Sequence, residues 1–189
     1  MTLTYQISPS NPASHLFSVA LDFPTTAGQN YTLSLPAWLP GSYMIRDFAK
    51  HIHQIAAKDN NGNALELTRV DKQTWQLNAS GDSVSVSYQV FAFDLSVRTA
   101  YLDTQRGFFN GSSTFLCVEE LKEHPCTVTI YAPQTISTIE KAEQWRVATG
   151  LTRAQATEKY TFGEYLAENY AELIDCPVAI GDFDAFEFE

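Results

Sequence analysis

Leu35-Pro36-Ala37-Trp38-Leu39-Pro40-Gly41-Ser42-Tyr43-Met44-Ile45-Arg46-Asp47-Phe48 is the densest stretch of the sequence, with a Pro-Gly pair, three aromatics and an adjacent Arg-Asp pair in fourteen residues. Pro40 presets φ at about −65° and Gly41 accepts positive φ, which together favour a tight type II turn. Burial preference reads Trp38, Leu39 and Tyr43 as packed around that turn. The Arg46-Asp47 end reads as held towards a partner or pocket.

Outward from this stretch the first half reads as strands. Phe17, Val19, Leu21 and Phe23 alternate with Ser18, Ala20 and Asp22, the period-two signature of a half-buried strand. Pro24 and Gly28 close that run, and Tyr31 to Leu35 alternates again. Ile52 to Lys58 leads into the turn signal Asp59-Asn60-Asn61-Gly62-Asn63, followed by Leu65 to Val70, Thr74 to Leu77, a Ser80-Gly81-Asp82 turn and Val84 to Val90. Strands at about 8–12-residue spacing with turns between them predict a meander within a mostly β fold, an antiparallel β-sandwich or saddle-like sheet. Phe91 to Thr114 reads as a long apolar loop, Thr114 to Val118 and Thr127 to Tyr131 as strands, and 135–156 as irregular strand and loop. Glu164 to Ile174 reads as one short helix near the C-terminus, with Leu166, Tyr170, Leu173 and Ile174 on its apolar face and Pro177 as its stop. Residues 182–189 alternate like a strand interrupted while running, so residues 1–189 read as a single domain that ends where another would begin.

Composition narrows the function classes. The chain has 189 residues, 44% of them hydrophobic and 13% aromatic, enough for a sizeable core. Its net charge of −10, from 12 Lys and Arg against 22 Asp and Glu, argues against nucleic-acid partners and anionic membranes. No apolar run approaches the roughly 20 residues that span a bilayer. Met1 to Ile7 lacks the basic and apolar regions of a secretion signal, and Cys117, Cys126 and Cys176 are too few for a disulfide framework. The expectation is a cytoplasmic protein with reduced thiols buried as core filler. The sequons at Asn30, Asn78 and Asn110 then read as chance matches.

A self-sufficient active site is not legible. There is no His-Glu-x-x-His, Gly-x-Ser-x-Gly, phosphate loop or Cys-x-x-Cys pattern. His51 and His53 share a strand face at i, i+2 and could begin a metal site, but no third ligand stands nearby, and two polar residues on an outer face is the better account. Glu119-Glu120 and Asp182/Asp184 read as solvated pairs. Arg98 and Arg106 near Asp103 either orient a ligand carboxylate or brace the loop through an ion pair.

The opening stretch resembles the Trp-x-Pro-Gly-Ser-Tyr-x-x-Arg segment of the M61 family of metallopeptidases, the glycyl aminopeptidase type. Ser96-Val97-Arg98-Thr99-Ala100-Tyr101-Leu102-Asp103 through Phe108-Phe109-Asn110-Gly111-Ser112 is similar to the second block of the same N-terminal region. Tyr170-Ala171-Glu172-Leu173-Ile174-Asp175-Cys176-Pro177-Val178-Ala179-Ile180-Gly181 is similar to the block that closes it. The resemblance implies a β-rich N-terminal domain that precedes a zinc-bearing catalytic domain, and no position here matches a zinc ligand or the catalytic Glu. The implied partners are that catalytic domain, expected downstream in the same polypeptide, and through it a peptide substrate. Zinc is expected in that domain, with no cofactor, catalytic residue or peptidase activity in these 189 residues. Tyr43, Arg46, Asp47, Arg98, Tyr101, Asp103, Phe108 and Phe109 become candidates for the substrate cleft or the interdomain face. The alternative is a free-standing β-sandwich module that binds carbohydrate or protein on Trp38, Tyr43, Phe108 and Phe109.

Overall fold

Alternation of apolar and polar side chains organises the computed structural model, which describes residues 1–133, 139 and 142–186. Its strands are β1 (Leu3–Asn11), β2 (Leu16–Pro24), β3 (Asn30–Ser34), β4 (Ile52–Asp59), β5 (Ala64–Leu65), β6 (Thr68–Arg69), β7 (Thr74–Asn78) and β8 (Ser83–Phe91). There follow β9 (Ala100–Leu102), β10 (Arg106–Phe109), β11 (Cys117–Val118), β12 (Cys126–Ile130), β13 (Arg146–Thr149), β14 (Thr152–Arg153) and β15 (Gly163–Ala167). Helix α1 (Tyr170–Asp175) and β16 (Val178–Gly181) complete the order. Among the described residues no helix is long and apolar enough to cross a membrane.

The large sheet runs β14-β15-β12-β1-β2-β8-β4-β5, and two smaller sheets run β13-β16-β10-β9 and β11-β3-β7-β6. Among the described residues strand pairing is antiparallel except between β1 and β12. The inward faces supply one core, in which Tyr5, Phe17, Leu21, Leu33, Leu102, Phe109 and Phe115 are fully buried. The mostly β, antiparallel architecture is the expected one, but its connectivity is not a meander. β2 pairs with β8 along its whole length, from Leu16 opposite Phe91 to Pro24 opposite Ser83, while β3 pairs with β7 in another sheet. Thr25 to Gln29 carries the chain across between them, through Gly28 at φ 82°. Phe23 and Tyr31 then meet edge to face, 5.7 Å apart.

Several segments depart from the sequence expectation. Leu3–Asn11 carries no strand assignment above, although Leu3, Tyr5 and Ile7 alternate, and it forms a central strand of the large sheet. Leu65 to Val70 is two short strands in different sheets, with Leu65 and Leu67 both packing on the core as the chain crosses. Residues 91–114 are not one loop but contain β9 and β10, because Ala100, Leu102, Gly107 and Phe109 turn inward. The helix is shorter than predicted. Tyr165 and Ala167 are buried on one face of strand β15, and Asn169 starts α1 by accepting the Glu172 N–H at 3.0 Å. Residues 183–186 are not strand, and the last part of the predicted tail strand lies outside the described residues.

Only Cys117–Val118 of the expected strand at 114–118 is a strand. The preceding Thr114–Leu116 backbone is irregular and deeply buried, so its polar groups need partners other than a ladder. Three buried tyrosines supply them. Tyr88 Oη donates to the Thr114 carbonyl at 2.9 Å and accepts the Leu116 N–H at 3.0 Å. Tyr5 Oη donates to the Leu116 carbonyl at 2.9 Å, and Tyr170 Oη to the Phe115 carbonyl at 2.8 Å. Burial raises all three phenol pKa values, so each stays a neutral donor. β1, β8 and α1 are thereby fastened to one segment.

Candidate functional site

Residues 37–46 fold into a closed loop. The Ser42 N–H donates to the Leu39 carbonyl at 3.0 Å with Gly41 at φ 76°, which makes the expected type II turn around Pro40-Gly41. The Arg46 N–H reaches the Ala37 carbonyl at 2.6 Å and shuts the base. Inside, Ser42 Oγ donates to the Met44 carbonyl at 2.9 Å, and the Trp38 indole N–H donates to the Ser42 carbonyl at 2.8 Å. Ser42 is buried and Leu39 half-buried.

That small interior leaves no room for the large side chains. Trp38 and Tyr43, expected to be buried, are not: Trp38 is 56%, Met44 62% and Ile45 74% exposed, and Tyr43 is fully exposed. The hydrogen bond to Ser42 holds the Trp38 ring along the surface. Several large apolar side chains are thus exposed together on one short braced loop, which is not the packed corner expected from residue type.

The second block meets this loop directly. Arg98 Nη2 donates to the Gly41 carbonyl at 3.1 Å and so ties the segment 93–98, which carries exposed Phe93, Leu95 and Val97, to the Pro-Gly turn. The segment is fastened from below by Asn110, whose Nδ2 donates to the Val97 carbonyl and whose N–H donates to the Thr99 carbonyl. Asn110 Oδ1 in turn accepts the Ser112 N–H, and its carbonyl accepts the Ser113 and Thr114 hydroxyls. Gly111 lets α1 approach closely: an added Cβ would stand 2.8 Å from the Leu173 carbonyl oxygen and 2.9 Å from the Ile174 Cα. The three blocks therefore converge, and a cleft of about 640 Å³ between them is lined by Pro40, Arg98, Asn110, Glu172 and Asp175. A second, mostly apolar cleft of about 480 Å³ lies on the outer face of the β13-β16-β10-β9 sheet, beside Val97, Tyr101, Phe108, Ala179 and Phe183. A third, of about 470 Å³, lies among Gln6, Ser18, Gln54 and Gln89 and involves none of the candidate residues.

The remaining candidates take separate places. Asp47 is exposed ahead of a 3-10 turn at Phe48–His51 and makes no capping bond to it. Asp103 pairs with neither Arg98 nor Arg106 among the described residues. It shapes the β9–β10 turn, accepting the Gln105 and Arg106 N–H groups and the Tyr101 hydroxyl, each at 2.8 Å. Partial burial pushes the Asp103 pKa up, but these hydrogen bonds outweigh it and hold the carboxyl below its ordinary value. Arg106 lies over the Tyr101 ring, 5.5 Å from its centre. Phe108 faces the apolar cleft, whereas Phe109 is fully buried against Phe17 and Phe115 and presents nothing to a partner.

His51 and His53 do not share a strand face, since His51 ends the 3-10 turn beside Phe91 and His53 stands exposed in β4. Among the described residues no group of three or more His, Cys, Asp or Glu is placed to hold a metal ion, so the residues described do not fit a zinc site. Cys117 and Cys126 are buried as expected, and Cys176 is half-buried. Glu119 and Glu120 are not simply solvated, for they accept from Ser34 Oγ and the Thr32 N–H and cover the edge of β3. Sequence reasoning missed Met44, Ile45, Leu95 and Val97 as surface residues, and Asn110 as the joint between blocks. The Asn-Gly-Ser sequence after a buried Phe was the available signal for that joint.

Residues 4–182 match the family described as the peptidase M61 N-terminal domain. The crystal structure of an aminopeptidase N family protein from Idiomarina loihiensis is similar at a TM-score of 0.90 and 43% identity, covering 99% of this chain and 30% of that one. An M1 zinc metallopeptidase mutant from Deinococcus radiodurans, bound to a Tyr-Ser-Ala substrate, is similar at a TM-score of 0.51 and 10% identity, over 96% of this chain and 41% of that one. The second likeness speaks for the fold alone. No curated protein matches the chain. This chain thus spans about a third of the length of the first solved relative and two fifths of the second.

Proposed function

The chain belongs to the peptidase M61 N-terminal domain family, and we propose that it serves as the non-catalytic domain of an M61-like zinc metallo-aminopeptidase. In this reading a catalytic domain of the same polypeptide, carrying the zinc, packs on the loop at 37–46 and on segment 93–98. The same face walls one side of the cleft that receives peptide N-termini. The observation that carries the reading is the pair of braced loops joined by Arg98 and Gly41, which hold Trp38, Tyr43, Met44, Ile45, Leu95 and Val97 outward. Such a surface gains by being covered, at about 25 cal/mol for each Å² of apolar area removed from water. Three free thiols suit a reducing cytoplasm, where we place the protein.

The test is kinetic and uses the full-length parent. Tyr43→Ala and Asp47→Asn should raise KM for glycyl and alanyl anilides several-fold with kcat unchanged, the pattern of lost ground-state binding. Unchanged KM and stability would remove these residues from the cleft. The 189-residue chain alone should not hydrolyse those anilides, with or without added zinc.

A further inference from the structure

Arg46 closes the loop with its backbone, yet among the described residues its side chain has no hydrogen-bond or ion-pair partner. The residue is half-buried, and its Nε is shut off from solvent with no hydrogen-bond acceptor among the described residues. The neighbouring carboxylate does not serve, since Asp47 is exposed and forms no ion pair among the described residues. The other guanidinium at the site, that of Arg98, already donates through Nη2 to the Gly41 carbonyl. Arg remains charged at every working pH, and a buried guanidinium N–H without an acceptor is unfavourable. Immediately before Arg46, Tyr43, Met44 and Ile45 project outward. A docked surface that covers the loop and also meets the open end of the guanidinium strips water from that charge, which then needs an anionic acceptor, held at Nη1 and Nη2 because Nε is closed off from outside as well.

We propose that Arg46 is the polar anchor of the docking face: a carboxylate of the catalytic domain in the same polypeptide binds its guanidinium when that domain covers the loop. The inference rests on the docking reading above. A tethered partner is favoured over a free one by two facts. The Idiomarina relative has most of its length outside the matched region, this chain covering 30% of it. A net charge of −10 also repels a free acidic partner at long range, whereas a tethered domain is present at high effective concentration.

The experiment is amide exchange over residues 37–46 in the full-length parent, for wild type, Arg46→Met, Arg46→Lys and Ile45→Ser. The wild-type loop should exchange more slowly than in the 189-residue chain. Arg46→Met should speed loop exchange by about tenfold or more, and Arg46→Lys by less. If Arg46→Met keeps wild-type protection while Ile45→Ser loses it, the anchor is overturned and the docking reading stands. If the wild-type loop is no slower in the parent than in the chain, docking fails and the anchor with it. Amides of β2 and β8 report folding. Should Arg46→Met release them too, Arg46→Lys decides, because an anchor that needs the planar fork loses loop protection there and a space-filling side chain does not. Loop protection that develops only on adding a peptide substrate would assign the carboxylate to the substrate and overturn the proposal.

Discussion

Replacing Tyr88 by Phe removes one oxygen from the middle of the domain and leaves two backbone groups without partners. The hydroxyl is buried between the Thr114 carbonyl, 2.9 Å away, and the Leu116 N–H, 3.0 Å away. Phe keeps the ring, so the cost comes from the orphaned groups and not from a cavity. Each buried unsatisfied group costs about 1–3 kcal/mol, and allowing for relaxation the pair costs about 2–4 kcal/mol. Tyr5→Phe and Tyr170→Phe each remove a donor from one carbonyl, and should cost about 1 kcal/mol. For a domain of this size each kcal/mol lowers Tm by about 2–4 °C, so Tyr88→Phe should lower it by roughly 5–15 °C. Urea unfolding should show a lower midpoint at unchanged slope. A loss below about 0.5 kcal/mol, the range of an ordinary surface change, would refute the clamp, as would a loss smaller than that of Tyr5→Phe. Because Thr114 continues directly from Asn110–Ser113, the variant should also speed amide exchange at Asn110 and Ser112, whose N–H groups are held by the Thr99 carbonyl and by Asn110 Oδ1.

Gly111→Ala puts a methyl against the Leu173 carbonyl and the Ile174 Cα, both backbone atoms that cannot rotate aside, so urea unfolding should show a loss of about 1–3 kcal/mol. Asp59 is held down to about 2 from 3.8, first by the Asn63 side-chain amide, against the opposing effect of burial, and then by the Asn63 N–H, the Ser80 hydroxyl and the Asn61 N–H. A depressed folded pKa means that the folded chain binds fewer protons, so this contribution is whole above pH 3.8 and is lost as the pH falls through about 2. Asp59→Asn should therefore flatten the fall in denaturant midpoint across that window, and an unchanged slope would contradict the assignment. Burial pushes the Cys117 and Cys126 thiols up to about 12, so a disulfide reagent at neutral pH should label half-buried Cys176 in the native chain and the other two only after unfolding.

The β class and most strand centres were legible because period-two alternation records which face is buried, as at Phe17 to Phe23. Pairing was not, because alternation says nothing about which strand lies alongside. Nothing local in Pro24 to Tyr31 reveals that the chain changes sheets there. The predicted helix failed at Tyr165 and Ala167 because Tyr165, Leu166 and Ala167 are all apolar, which suits a helix face through Leu166 as well as a strand face through Tyr165 and Ala167, and only the neighbouring strand β12 decides between them. Within the site the Pro-Gly turn was readable, since Pro40 and Gly41 restrict φ locally. The exposure of Trp38 and Tyr43 was not, since residue type argues for burial and the size of the loop interior is a three-dimensional fact. Phe108 and Phe109 show both sides of this: alternation puts them on opposite faces, but which one meets the core depends on Phe17 and Phe115.

Radical footprinting of side chains, comparing the 189-residue chain with the full-length parent proposed for it, tests the proposed docking face most directly. In the chain Trp38, Tyr43 and Met44 should be modified readily, while Trp75 and Trp145, both buried, should not. In the parent the three loop residues should be protected several-fold, and Tyr131 on the outer side of the large sheet should keep its reactivity. Unchanged modification of Trp38, Tyr43 and Met44 in the parent, or protection of Tyr131 in their place, would contradict the account.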